Sequence, residues 1–568
     1  MTRFQASLLV LVLWAGIYLP GLGSTELKGE EGRRILPAIT MLETGNWLVP
    51  YVGGEPFLRK PPLVNWAIAV AFKLTGVRNE WTARLPSALC VLALGLALVG
   101  TSGRGWMNAE TAFVAAGMAM TQSGLLAKAR FAGAEIEGIY APLAGIAMVC
   151  WLGWWSRGRS PWLVWVVPGI FLGLASLAKG PSLHLLFYYA MVLTVLGSAR
   201  RWRALLHPAH FAGLAVCAGI FAAWAVPYFK TPEAKGAAAV WKRQGIDRFT
   251  DSEFNAGNYF LNIPRGLADQ LPWLLFTPVL VSALRRKRGV ALESTDGEEG
   301  DPRSSNDSSE NGPIALSIDL RALAWAIGAC FFLVLLIPGT LPRYVLPLGA
   351  PIAVLLALAL AGVGEGSRVL RRWHLVNRIA AGFLLLACCA TPFVVSASQR
   401  QPGGAAPDFL RAVIAALLCA PLLAVGAWVV ARRAVGLRPG GLAAATGAVF
   451  AMGAAIYALA AVPWINRRDN VRPVAAAIDA AIPPGEALVI YDPGYLAAIF
   501  YLHGPYSYAG SMEGIPSDAR WVLARGKERR KFAEKRPEFE VAKVIAGKHG
   551  EEFLLLQPRG EIQKLRAP

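Results

Sequence analysis

The chain is predicted to be an all-α polytopic membrane domain with about thirteen transmembrane helices, over residues 1–462, followed by a small extracytoplasmic α/β domain over 463–568. Three observations carry that prediction. Hydrophobic residues make up 55% of the 568 and charged ones only 16%, with a mean hydropathy of +0.44, a composition that soluble domains do not have. Apolar stretches long enough to cross a ~30 Å hydrocarbon core recur from the first residues to about 462. Beyond 462 that texture stops, and helical and strand-like patterns alternate.

The first stretch, Ala6 to Gly21, lacks an Ala-x-Ala-like cleavage site and a dozen further apolar segments follow it, so it is read as a span and not as a removable leader. The others lie near 84–103, 108–127, 136–156, 161–178, 183–198, 209–228, 269–284, 319–338, 345–363, 378–397, 409–431 and 440–462. An odd count places the two ends on opposite sides. Lys and Arg in short loops are retained in the cytoplasm. The clusters Arg157/Arg159, Arg200/Arg201/Arg203, Arg285/Arg286/Lys287/Arg288, Arg368/Arg371/Arg372/Arg378 and Arg432/Arg433/Arg438 all fall on the side of Arg3 and Arg104, so a cytoplasmic N-terminus is expected. This placement absorbs much of the +19 net charge, and no nucleic-acid partner is expected. The cysteines Cys90, Cys150, Cys217, Cys330, Cys388, Cys389 and Cys419 sit in apolar runs without CxxC spacing, which argues against a zinc site or a disulfide framework.

Three hydrophilic segments are expected outside: a first loop over 22–83 with two amphipathic stretches, a loop near 229–268, and the tail. A cytoplasmic linker over 286–318 contains the Ser/Asp/Glu-rich Glu293 to Pro313 (ESTDGEEGDPRSSNDSSENGP), too poor in apolar residues to fold. In the tail, Val471 to Ile482 reads as a helix, Ala487 to Tyr491 and Trp521 to Ala524 as strands, Tyr495 to Tyr501 as a helix or turn, and Phe539 to Ala546 with Glu552 to Gln557 as a final pair; Arg525 to Lys531 is a basic run. His503 and His549 read as surface residues.

Ionisable residues concentrate at the outer ends of spans. The first loop holds Glu26, Glu30, Glu31, Arg33 and Arg34 in one cluster, and Arg59 and Lys60 before Pro61-Pro62. The turn between the third and fourth spans carries Lys128, Arg130, Glu135 and Glu137; another helix end carries Lys179, and a further one Arg343 and Tyr344. Carboxylates beside Arg and Lys are what proton abstraction next to a bound phosphate requires. The plainer readings are that Glu30 and Glu31 cap a helix beginning near Gly32, that Lys60 is a snorkelling surface lysine, that Glu135 or Glu137 pairs with Arg130, and that Lys179 and Tyr344 are interfacial anchors.

The runs Glu30 to Arg33, Met41 to Pro50 (MLETGNWLVP), Gly54 to Leu63 (GEPFLRKPPL) and Glu80 to Ser87 (EWTARLPS) resemble the GT-C glycosyltransferases of the aminoarabinose transferase and protein mannosyltransferase kind. Arg130 to Glu135 resembles that family's second acidic motif, Ala178-Lys179-Gly180-Pro181 its Lys-Gly-Pro helix end, and Pro342 to Pro347 its Tyr-x-Leu-Pro motif; Leu271-Pro272-Trp273 also fits, and Ala497 to Leu502 weakly. The resemblance implies a GT-C-like multi-pass protein of the cell inner (plasma) membrane that moves a sugar from a polyprenyl phosphate to a lipid, glycan or protein acceptor on the extracytoplasmic face, with inversion. It implies Glu30 as catalytic base and Glu31 as second acid, with Arg33, Arg59, Lys60, Arg84, Lys179 and Tyr344 binding substrate. Glu135 and Glu31 would be the holders of a divalent cation (Mg, Mn or Zn), should one be used.

Several positions depart from the pattern. The family's Asp-Glu pair is here Glu30-Glu31, and Arg59 replaces an acidic residue, which disfavours an amino sugar, so 4-amino-4-deoxyarabinose is not assigned as donor. The family's Lys before the Tyr motif is absent, with Thr340 nearby, and residues 229–268 contain no histidine. A secondary transporter and a membrane scaffold with an outer binding domain are the competing classes. Against the first stands the lack of an internal repeat; the second does not account for the loop motifs.

Overall fold

The computed structural model describes residues 1–559 apart from 28, 132, 182, 243–255, 286–317, 399–420, 422–423, 429, 431–436, 463–464, 467–470, 495 and 548–550. The expected cytoplasmic linker, most of the expected span at 409–431, Cys419 and His549 therefore lie outside the described residues. Elsewhere each expected span contains a helix. The helices are α1 (Arg3–Tyr18); α2 (Gly32–Thr44) and α3 (Leu63–Thr75) in the first loop; then α4 (Glu80–Gly100), α5 (Ala109–Thr121), α6 (Ser123–Leu126), α7 (Glu137–Ser156), α8 (Pro161–Lys179), α9 (Leu183–Ser198) and α10 (Pro208–Phe229). They continue with α11 (Ala237–Lys242), α12 (Ala256–Ala268), α13 (Thr277–Arg285), α14 (Leu320–Leu335), α15 (Gly349–Ala361), α16 (Arg368–Ser398) and α17 (Pro439–Ile456).

Local chemistry sets many of these starts. Asn79, Asn108 and Asp319 accept hydrogen bonds from first-turn amides of α4, α5 and α14, and α8, α10 and α17 open on proline, whose missing N–H costs nothing there. Among the described residues seven helices are long and apolar enough to cross a membrane, or eight if a pair bent by 80° (Tyr259–Ala268 with Trp273–Arg285) is one span; α1, α9 and α14 are shorter apolar helices. α16 begins ten residues before the expected span at 378, so Arg368, Arg371, Arg372 and Arg378 lie on the helix itself.

Two helix breaks satisfy each other. α5 stops at Gln122, whose backbone is extended, and the amides of Ser123 and Gly124 turn to the carbonyls of Leu271 and Asp269 in the bent pair, both at 2.9 Å. Backbone groups freed inside a membrane domain must find such partners. α7 lies centrally between α4 and α8, and α8 meets α10 through Gly169 and Gly213, where a Cβ on Gly169 would fall 2.4 Å from the Gly213 carbonyl.

The tail is an α/β unit. α18 (Val471–Asp479) packs on a five-stranded sheet of β3 (Leu488–Tyr491), β4 (Tyr506–Ala509), β5 (Trp521–Arg525), β6 (Phe539–Ala546) and β7 (Glu552–Pro558), in the order β4-β3-β5-β7-β6. β3 runs parallel to β4 and β5, while β5–β7 and β6–β7 are antiparallel. β4 and the short helix α19 (Arg529–Lys535), which absorbs part of the basic run, were not expected. His503 is exposed, as expected, and lies 2.9 Å from Asp479.

Polar contacts fasten this unit to the first loop. The Glu26 carboxylate accepts from the amides of Val471 (2.7 Å) and Arg472 (3.2 Å) at the start of α18. Glu80 accepts from the Tyr501 hydroxyl (2.7 Å) and from the Arg472 guanidinium, and the same hydroxyl accepts from the Leu27 amide (2.8 Å). A hairpin of β1 (Tyr51–Val52) and β2 (Glu55–Pro56) turns through Gly53 and Gly54 at φ 61° and 82°, as a two-residue hairpin turn requires. A Cβ on Gly53 would strike Pro493 of the tail at 2.4 Å. We expect Glu80→Ala to remove the acceptor of the Tyr501 hydroxyl and of the half-exposed Arg472 at a cost of about 1–3 kcal/mol, which limited proteolysis will read as faster release of the tail; an unchanged cleavage rate would contradict the fastening.

Candidate active site

A cavity of ≈ 180 Å³ forms where the first loop, the turn before α7, the end of α8 and the 3₁₀ segment Pro342–Leu348 meet. Glu30, Arg33, Arg34, Phe57, Arg59, Lys60, Glu135, Ile136, Glu137, Lys179, Arg343 and Tyr344 line it, six cations against three carboxylates. The elements place these groups for simple reasons. Gly29–Glu31 is a 3₁₀ turn that lifts Glu30 to the rim, and the β1–β2 hairpin delivers Arg59 and Lys60, with the Leu58 carbonyl held by the Trp241 indole at 2.7 Å. Glu137 stands at the N-terminus of α7 and Lys179 in the last turn of α8, the helix ends that favour an anion and a cation respectively.

Each carboxylate is held by a cation. Glu30 pairs with Arg33 at 2.6 Å, Glu135 with Lys128 at 2.7 Å, and Glu137 with both Lys179 and Arg343 at 3.3 Å. The Arg343 contact has ion-pair distance without hydrogen-bond geometry, since its buried Nε–H meets no acceptor. Lys179 also lies between two phenol rings, 4.6 Å from the centroid of Tyr140 and 4.7 Å from that of Tyr344. Burial raises the Glu135 carboxyl above the usual range, against the opposing pull of Lys128.

Of the expected site residues, Glu30, Arg33, Arg59, Lys60, Glu135, Lys179 and Tyr344 come together here. Glu31 and Arg84 do not. Both side chains are fully buried, and Arg84 Nε and NH2 each lie 2.8 Å from a Glu31 oxygen, while Arg84 NH1 donates to the Leu22 and Thr25 carbonyls at 2.9 Å. Glu31 also accepts from the Ala134 amide at 3.2 Å. The structure thus places Glu31, expected as second acid and metal holder, and Arg84, expected to bind substrate, away from the cavity and joined in a buried arginine fork whose donors are saturated. Helix capping is not seen either, because Glu31 at the N-cap of α2 makes no side-chain cap bond. Arg130 pairs with neither Glu135 nor Glu137 and instead donates to the Ile17 and Pro20 carbonyls. Among the described residues no three His, Cys, Asp or Glu side chains converge into a group that could hold a metal ion.

Three lining residues, Arg34, Glu137 and Arg343, were not singled out for a role. The signal for Glu137 and Arg343 was their position beside motif residues at outer helix ends; Arg34 gave no signal beyond its neighbour Arg33. We expect Glu31→Gln and Arg84→Met singly to destabilise the protein by about 3–5 kcal/mol, as breaking a buried pair does, and Glu31→Leu with Arg84→Met together to recover much of that loss. Thermal unfolding in detergent measures this, and single variants as stable as the parent would contradict it.

Comparison with known proteins places the fold. A family model described as dolichyl-phosphate-mannose-protein mannosyltransferase matches residues 59–226. The chain is 26% identical over 342 residues to an undecaprenyl phosphate-alpha-4-amino-4-deoxy-L-arabinose arabinosyl transferase of Erwinia tasmaniensis, covering 59% of this chain and 56% of that protein, little more than half its length. It is 25% identical over 409 residues to the protein of the same name from Pseudomonas savastanoi pv. phaseolicola, covering 71% and 70%. The crystal structure of ArnT from Cupriavidus metallidurans in the apo state superposes with a TM-score of 0.63 at 17% identity, covering 100% of this chain and 98% of that one. The same protein bound to undecaprenyl phosphate gives 0.62 at 18%, covering 97% of each chain. The chain thus shares the fold of ArnT, and the resemblance carried by its motifs holds in sequence and in architecture.

Proposed function

We propose that this chain, similar in motifs and fold to the GT-C glycosyltransferases, transfers a sugar from a polyprenyl-phosphate donor to an acceptor at the extracytoplasmic face of the membrane, with the cation-rich cavity as its active site. The observation that carries the reading is the cavity's composition. Six cations surround a volume in which Glu30 is the carboxylate at the rim, its side chain 39% exposed. A leaving phosphate needs fixed positive charge, and an acceptor hydroxyl needs a base within reach.

The reaction is a single displacement. The acceptor oxygen attacks the anomeric carbon, its proton passes to Glu30, the bond from that carbon to the phosphate oxygen breaks, and the bonding electrons leave with the phosphate. Arg33 occupies Glu30 Oε2, so Oε1 is the oxygen that takes the proton. Lys60, Arg59 and Lys179 carry the charge that the departing phosphate meets, and Tyr344 offers a hydroxyl to the phosphate or the sugar. No step is routed through a metal ion, because Glu31 is committed to Arg84 and each carboxylate of the cavity to a cation. The donor's polyprenyl tail stays in the hydrocarbon of the membrane, each buried CH₂ contributing about 0.8 kcal/mol.

The topology completes the proposal. About thirteen spans within 1–462, a cytoplasmic N-terminus and an extracytoplasmic 463–568 unit put the cavity on the side opposite the Arg and Lys clusters at 157–159, 200–203, 285–288, 368–378 and 432–438. A secondary carrier would need its ionisable groups near the midplane of the spans. Purified protein tested over a panel of polyprenyl-phosphate sugars is expected to transfer or hydrolyse one of them. Glu30→Gln should lower kcat by roughly 10²–10⁴-fold, the worth of a positioned general base, and EDTA should leave turnover unchanged. Turnover surviving Glu30→Gln would remove the assigned base, and solute accumulation in sealed vesicles without transfer would favour the carrier.

A further inference from the structure

The proposed mechanism gives no role to two cations of the cavity, Arg343, which pairs with Glu137, and Arg34. Arg34 is 6% exposed, and its buried Nε–H meets no acceptor. The carboxylates around it are held by others: Glu30 by Arg33, Glu135 by Lys128, Glu137 by Lys179 and Arg343. Its contact is the ring of Phe57, 5.2 Å from the guanidinium carbon. A buried charge without a hydrogen-bonded counter-ion is strongly disfavoured. Position adds to the cost, since Arg34 lies in the first turn of α2, the end of a helix that repels cations.

The group is nevertheless held firmly. Asn65, fully buried on α3, donates from Nδ2 to the Arg34 carbonyl at 2.8 Å, and Phe57 covers one side of the guanidinium. A planar fork of donors, fixed in place and lacking an acceptor at its Nε–H, matches a bidentate oxyanion. We infer that Arg34 is an anion site in its own right, which receives two oxygens of an anionic group on the donor. This rests on the glycosyl-transfer reading and names a substrate feature within it. Burial lowers the guanidinium to about 10, which leaves it charged at neutral pH, so the site selects anions across the working range.

Two groups on a donor present that chemistry: the carrier phosphate itself, and a carboxylate on the transferred sugar. An ammonium-bearing sugar does not. The test uses the full-length protein in detergent with Arg34→Met and Arg34→Lys, bare polyprenyl phosphate, and a matched pair of donors carrying a uronic acid or the neutral hexose. Without ligand, Arg34→Met should unfold at a higher temperature than the parent, because it removes a buried charge that Glu30, Glu135 and Glu137 favour through space but do not hydrogen-bond.

With ligand, a lost charge-assisted pair corresponds to roughly 10- to 100-fold weaker binding. If the phosphate is the anion, that loss is seen with the bare carrier. If the sugar carboxylate is, bare-carrier binding is kept and the preference for the uronic-acid donor over the hexose falls by that factor. Arg34→Lys keeps the charge without the fork and should recover only part of the loss, which also covers the case in which the Met variant does not fold. Variants that bind both the bare carrier and the uronic-acid donor as the parent does would overturn the inference. A parent that binds neither carrier nor any donor would instead overturn the glycosyl-transfer reading.

Discussion

The buried pair of Glu31 and Arg84 is the constraint on which the cavity end of the molecule depends. Arg84 gathers the carbonyls of Leu22, Thr25 and Glu26 and the Glu31 carboxylate around one guanidinium, and Glu31 reaches on to the Ala134 amide. Three segments far apart in sequence, the start of the first loop, α4 and the turn before α7, are thereby fixed to one point. Two charges removed from water contribute net stability only when such a network satisfies them. The gain is in geometry. With Glu31 locked inward on a 3₁₀ turn, its neighbour Glu30 is presented at the cavity rim.

The cavity works by a different principle. Its carboxylates are not buried against one cation each in a closed network but share a space with more positive charge than they neutralise. Lys179 shows how a charge is kept there: two phenol rings and Glu137 hold it in place, at a helix end whose dipole suits it. An environment of this kind is organised before any anion arrives, which is the condition under which electrostatic stabilisation of a leaving group is largest.

Much of the fold was legible because hydropathy reports membrane spans almost directly, and α1, α4 and α7 through α10 fall where apolar runs predict them. The breaks were not legible: the interruption at Gln122 exists because the carbonyls of Asp269 and Leu271 are available to it, a tertiary fact. β4 was missed because four residues, Tyr506 to Ala509, after Gly504-Pro505 show too little alternation to count as a strand. At the site, residue type was informative and direction was not. Glu30 and Glu31 are identical side chains one position apart, and only the packing of Arg84 against the loop tells which of them is sequestered. Arg34 was overlooked beside Arg33 for the same reason.

The hairpin through Gly53 and Gly54 sits directly beneath Pro493, and the start of α18 is held by Glu26. Glycine there is a steric counterpart to a proline more than four hundred positions away. The tail is therefore not an interchangeable module. A chimera that grafts another protein's tail onto this helical body would bring a foreign surface against Gly53, Glu26 and Glu80, and would displace the hairpin that leads into Arg59 and Lys60. First loop and tail are fitted to each other, so the hairpin keeps its seat only when both are exchanged together.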